Sequence, residues 1–150
     1  MLNKPIYIKT IYYNEKINKE KVDLEISIQK SISKKYDFTP KIFNVLYYDD
    51  RCEISMENLE AFCVADKYGD QIENIPKNII DEIHYIIRTL FEKEEIEYID
   101  ITPYNFIEKN NKVYIIDFGH SYYSNKENKK INWFLEEFLD GLDGWNPDFL

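Results

Sequence analysis

Glycine is scarce in this chain: four residues in 150, and none before Gly69. The first part therefore has no glycine-rich loop of the kind whose backbone wraps a phosphate. Cysteine is almost as rare. Cys52 and Cys63 show no metal-ligand spacing, and both are read as free thiols of an intracellular protein. No run of 18 apolar residues occurs, which excludes a transmembrane helix on sequence grounds. The N-terminal Met-Leu-Asn-Lys-Pro contains no signal-peptide core, and an intracellular, cytoplasmic protein is expected.

Other features are abundant. Hydrophobic residues make up 44% and aromatics 16%, which argues for a packed core and against disorder. The length suits one compact chain, with room for two small lobes. The net charge of −9 is unevenly placed: residues 1–50 carry nine basic and seven acidic residues, and residues 51–150 carry 10 and 21. Such an acidic chain is not expected to bind nucleic acid, whose phosphates demand positive charge. The acidic C-terminal part would favour a basic substrate, the alternative being a solvated surface that only aids solubility.

Residues 98–119 concentrate the chemistry. Asp100 and Asn105 stand five apart, ahead of the apolar run Phe106-Ile107. A polar turn, Glu108 to Lys112, leads to Val113-Tyr114-Ile115-Ile116 and then Asp117-Phe118-Gly119. Two apolar runs about an Asn-rich turn predict a β-hairpin. Its geometry would gather Asp100, Asn105 and Asp117 at one end. Two carboxylates and an amide oxygen are hard ligands, suited to Mg²⁺ with phosphates.

This pattern resembles the active centre of the protein-kinase-like superfamily. There an Asp-x-x-x-x-Asn catalytic loop is followed by a hairpin and Asp-Phe-Gly. The resemblance implies that Asp100 orients an attacking hydroxyl, and that Asn105 and Asp117 hold Mg²⁺. It extends to Lys9, in the predicted strand Ile6–Tyr13, and to Glu25, in a predicted helix over about residues 18–36. Leu24, Glu25, Ile28 and Ile32 share one stripe of that helix, so Glu25 is a carboxylate on an apolar face and needs a partner. In the family a strand Lys paired to a helix Glu holds the α- and β-phosphates. Two further strands, residues 41–48 and 52–57, lead to Met56-Glu57-Asn58-Leu59. This exit resembles the kinase hinge, where backbone groups of Glu57 and Leu59 would meet the adenine edge.

The fold implied is α+β: a truncated protein-kinase-like fold. Residues 1–59 would form a small N-lobe sheet with one helix, and residues 60–150 a reduced helical C-lobe carrying the hairpin. Residues 60–75 read as irregular. A helix from Pro76 would bury Ile79, Ile80, Ile83, Ile86, Ile87, Leu90 and Phe91, with His84 as a structural histidine. A last helix is expected over Ile131–Leu139, and the tail Trp145–Leu150 should pack down.

Several positions depart from the family. The glycine-rich loop is missing, so shielding of the phosphates would fall to a partner or a dimer neighbour. Tyr7, sharing a face with Lys9, stands where the family keeps a small residue. Tyr98 and Ile99 replace the usual His and Arg or Gly, and Thr102 stands where conventional Ser/Thr kinases carry Lys. There is no Ala-Pro-Glu motif. The chain looks closer to compact atypical kinases, such as the RIO type, and to small-molecule phosphotransferases of the same fold.

The function expected is ATP- and Mg²⁺-dependent transfer of a phosphoryl group to a hydroxyl-bearing acceptor, protein or small molecule. The alternative is a pseudokinase, a binding or regulatory module without catalysis. A third reading is an unrelated α+β interaction domain. No membrane partner is expected.

Overall fold

β-Branched and aromatic residues dominate Ile6–Tyr12, and this segment is a strand, β1. The computed structural model describes residues 5–124 and 130–150. The chain is α+β and divides into two compact units, Met1–Glu60 and Ala61–Leu150. Residues 125–129, most of the polar run Ser124–Lys130, lie outside the described residues, as do residues 1–4. No described helix is long and apolar enough to cross a membrane.

In the first unit β1 is followed by α1, Lys19–Lys35. The Asn18 side chain accepts the Lys21 amide and caps the helix, while Lys34 and Lys35 in its last turn complement the negative end of the helix dipole. Then come β2, Ile42–Tyr47, and β3, Arg51–Glu57. They form an antiparallel sheet in the order β1-β3-β2. One face packs on α1 through a core of Val22, Ile26, Cys52, Ile54 and Met56. The buried stripe of α1 is Val22, Glu25, Ile26, Ile28, Gln29 and Ile32. Leu24, expected within it, is only half-buried at its edge. Gln29 earns its place by donating to the Pro40 carbonyl at 2.9 Å.

The second unit opens with α2, Val64–Tyr68, and a single 3₁₀ turn, Ile72–Asn74. From sequence, residues 60–75 read as irregular. Five residues are too few to show helical periodicity, and α2 is held from outside: its Ala65 amide donates to the Pro103 carbonyl at 2.9 Å. Gly69 ends it at φ +87°, a conformation that favours glycine.

The long helix α3 spans Lys77–Glu94. Pro76 is its cap rather than a first-turn residue, and its carbonyl accepts the Ile79 and Ile80 amides. Ile79, Ile80, Ile83, Ile86, Ile87 and Leu90 are all buried. Each such side chain contributes roughly 1.5–3 kcal/mol by leaving water, which makes α3 the hydrophobic anchor of the unit. Its partners include β4, Ile96–Glu97, β6, Lys112–Ile115, and α4, Trp133–Leu139. β6 pairs with β5, Phe106–Lys109, as the expected hairpin. Its turn residues Asn110 and Asn111 sit at φ +52° and +62°, which Asn tolerates better than most residues.

Two further features differ from expectation. β4 pairs antiparallel with a two-residue strand, β7, Tyr122–Tyr123. The last helix starts at Trp133, two residues later than the apolar run suggests, because the Asn132 side chain turns to cap the Phe134 and Leu135 amides.

Candidate functional site

In the first unit, strand alternation places Lys9 on the α1 side of the sheet. Its Nζ lies 2.5 Å from Oε2 of Glu25. Glu25 is 6% exposed, so its carboxylate depends on this pairing. Tyr7 lies two residues before Lys9, opposite Met56, and is half exposed. Glu25→Gln is expected to lower the stability of the protein by about 2 kcal/mol, the usual worth of a charge-assisted hydrogen bond. Chemical denaturation measures it, and an unchanged midpoint would mean that the pair carries no weight in the fold.

Glu57 and Leu59 lie at the exit of β3. The Glu57 amide already donates to the Lys41 carbonyl at 2.9 Å. That N–H is therefore committed to the sheet, and only the carbonyl of Glu57 remains as a group for a ligand edge. The Leu59 side chain is buried. Asn58 holds the exit in shape, its amide donating to the Pro5 carbonyl and its side chain accepting the Glu60 amide.

In the second unit, residues 98–105 form a loop between β4 and β5, fastened at several points. The Tyr98 hydroxyl donates to the Ile116 carbonyl at 2.6 Å, tying the start of the loop to the residue before Asp117. The Ile116 amide donates to the Asn105 carbonyl at 3.0 Å. Beneath the loop, Tyr98 is fully buried and meets Phe118 edge-on at 5.6 Å and Phe106 at 6.3 Å. These rings fix the loop against the segment that follows β6.

This fastening brings Asp100, Asn105 and Asp117 together. The Asn105 amide donates to the Asp100 backbone carbonyl at 2.9 Å. Partial burial raises the Asp100 carboxyl above the ordinary carboxylate range. A hydrogen bond from Asn105 opposes this, the negative charge of Asp117 adds to it, and His120 opposes it. Asp117 accepts the Gly119 amide on Oδ1 at 3.1 Å and sits at φ +61°. A non-glycine residue in this left-handed region costs about 1 kcal/mol or more and marks a place where side-chain direction outweighs backbone comfort. Among the described residues, no group of three or more His, Cys, Asp or Glu side chains lies together as a metal-ligand set.

Sequence reasoning missed one residue of this site. Asn146 has no exposed surface. Its side-chain amide donates to the Ile99 carbonyl at 2.8 Å, and its backbone amide donates to the Ile101 carbonyl at 2.8 Å. It thus grips the chain on both sides of Asp100. The Asn-Pro pair reads as a turn in sequence, and nothing local shows where its side chain goes. His84, by contrast, has the structural role expected: it stacks on Phe138 at 3.9 Å and meets Asp143 at 2.9 Å.

No family model matches this chain, and no curated protein matches it significantly.

Proposed function

We propose that the chain is a phosphotransferase of the protein-kinase-like fold, moving the γ-phosphoryl group of ATP to a hydroxyl with Mg²⁺. The observation that carries this reading is the convergence of Asp100, Asn105 and Asp117 on one fastened loop and hairpin. Asp100 is the group that takes or orients the acceptor's proton; its raised carboxyl moves it toward the range useful to a general base. Asn105 and Asp117 offer two hard oxygen donors. That is the count Mg²⁺ uses when phosphate oxygens and water complete its shell. The charge of Asp117 disfavours ionisation of Asp100, and a cation bound between phosphates and Asp117 would relieve it. In the first unit, Lys9 held by Glu25 supplies a fixed positive charge for the α- and β-phosphates. The carbonyl of Glu57 and the backbone of Leu59 are the groups left for an adenine edge. Catalysis of this kind is positioning and charge stabilisation, with no covalent intermediate. ATP as donor places such an enzyme inside the cell.

Thermal unfolding with and without Mg-ATP tests the proposal. At about 100 times its dissociation constant the ligand adds roughly 2.7 kcal/mol, a rise of roughly 5–10 °C for a chain of this size. Asp117→Asn is expected to remove the Mg²⁺-dependent part of that rise. No rise in the wild type would overturn the proposal. A rise without transfer to any acceptor would make the chain a nucleotide-binding pseudokinase.

A further inference from the structure

We infer that β1 is a dimerisation edge, where two copies of this chain join their sheets by antiparallel pairing of Ile6–Tyr12 about a two-fold axis at Lys9. The inference does not rest on the proposed function.

It starts from the hydrogen-bond directions of β1. The Pro5 carbonyl accepts from Asn58, and the Tyr13 amide donates to Asp50, both toward β3. In an antiparallel ladder these directions alternate along the strand. The peptide groups of residues 5, 7, 9, 11 and 13 therefore face β3, and those of Ile6, Ile8, Thr10 and Tyr12 face outward. Among the described residues no strand pairs with that outward edge.

Edges of this kind are normally guarded by charge, proline or a bulge. β1 has none of these on its outer side. Its register with β3 is unbroken over seven residues. Its one charged residue, Lys9, is turned to Glu25 on the other face of the sheet. The side chains at the outward-facing positions are instead apolar or β-branched. Ile6 and Ile8 are each 57% exposed and Tyr12 is 61% exposed.

A second copy is the occupant that fits. About a two-fold axis through Lys9, Ile6 of one copy stands opposite Tyr12 of the other, and Ile8 opposite Thr10. All four outward peptide groups then find a partner, and the isologous match closes without leaving another edge between the copies. Ile–Tyr and Ile–Thr are favourable cross-strand pairs. Charge agrees as well. Glu57 flanks Ile6 and Arg51 flanks Tyr12 on β3, so the two outer cross-sheet rows each carry an acidic residue from one copy and a basic one from the other, while the inner rows set Glu53 beside Thr10 against Ser55 beside Ile8. The like-charged Lys9 pair at the axis is offset by its two Glu25 partners.

Sedimentation equilibrium over a wide concentration range, with hydrogen exchange read at single amides, tests this. The wild type is expected to form a dimer whose Ile6, Ile8, Thr10 and Tyr12 amides become protected as it associates. Thr10→Pro deletes an outward N–H and spares the ladder to β3. By symmetry it removes two bonds, and it is expected to weaken the dimer by about thirtyfold. Ile8→Lys is the second variant, placing a guard charge on the exposed face without altering the backbone. A wild type that stays monomeric up to millimolar concentration would overturn the inference, and would leave the edge to a strand of another protein. So would a dimer in which those four amides exchange freely, or one that Ile8→Lys leaves unchanged while circular dichroism shows that variant folded.

Discussion

Asp100→Asn is expected to cut phosphoryl transfer by about 10²–10⁴-fold, the usual worth of a positioned acid–base group, and at the same time to stabilise the protein at neutral pH. The two effects have one cause. Burial raises the Asp100 carboxyl, and Asp117 adds to the rise. The folded state therefore holds this proton more tightly than the unfolded chain does. Stability falls as pH rises from the ordinary carboxylate value through the raised one, because the unfolded chain releases its proton first. Above that window the folded state carries a charge in a poor setting, and the neutral amide of Asn removes it. Melting curves of both proteins against pH provide the check. The advantage of Asp100→Asn should grow through the window and vanish at acid pH, where the wild-type carboxyl is also neutral. An advantage independent of pH would mean that shape, not charge, separates the two proteins. Full transfer activity in the variant would remove Asp100 from the mechanism.

Substitution of Asn146 is expected to be severely damaging although the residue carries no charge. Asn146→Ala deletes the donor to the Ile99 carbonyl and the acceptor for the Asp148 amide. Both groups are left without these bonds, and a small void opens at a fully buried position. Together these should cost about 2–4 kcal/mol. Asn146→Asp keeps the volume and separates the causes. A carboxylate oxygen would face the Ile99 carbonyl oxygen, so this variant should be at least as unstable near neutral pH and should recover as acid restores a donating O–H. Urea denaturation at two pH values reads this directly. If Asn146→Asp matched the wild type at neutral pH, the bond to Ile99 would contribute nothing.

Much of the fold was legible because its causes are local. The isoleucines of α3 repeat at helical spacing. The β-branched run Ile6–Tyr12 is a strand. Asn110-Asn111 suits a tight turn with positive φ, and Asp100, Asn105 and Asp117 lie close to one hairpin in sequence. Glu25 was legible through a contradiction, a carboxylate on an apolar stripe. What stayed hidden depends on distant partners. α2 owes its start to Pro103, and β4 and β7 are too short to carry a period. Nothing in sequence shows that the Glu57 amide bonds to the Lys41 carbonyl. Asn146 carries no mark of its role, because the groups it serves are carbonyls of Ile99 and Ile101, which any residue possesses.

The bond from Asn146 to Ile99 spans 47 positions of chain, whereas the β5–β6 hairpin closes over a two-residue turn. Closing a long loop costs more entropy than closing a short one, and the cost is recovered only when the distant contact forms. The hairpin can thus assemble early from its own neighbours. The segment around Asp100 gains its last restraints only when residues near 146 arrive. During folding, the carboxylate arrangement is therefore expected among the final parts of the second unit to take its native form. A partly folded chain would have its sheet and α3 in place before it had a competent reaction centre.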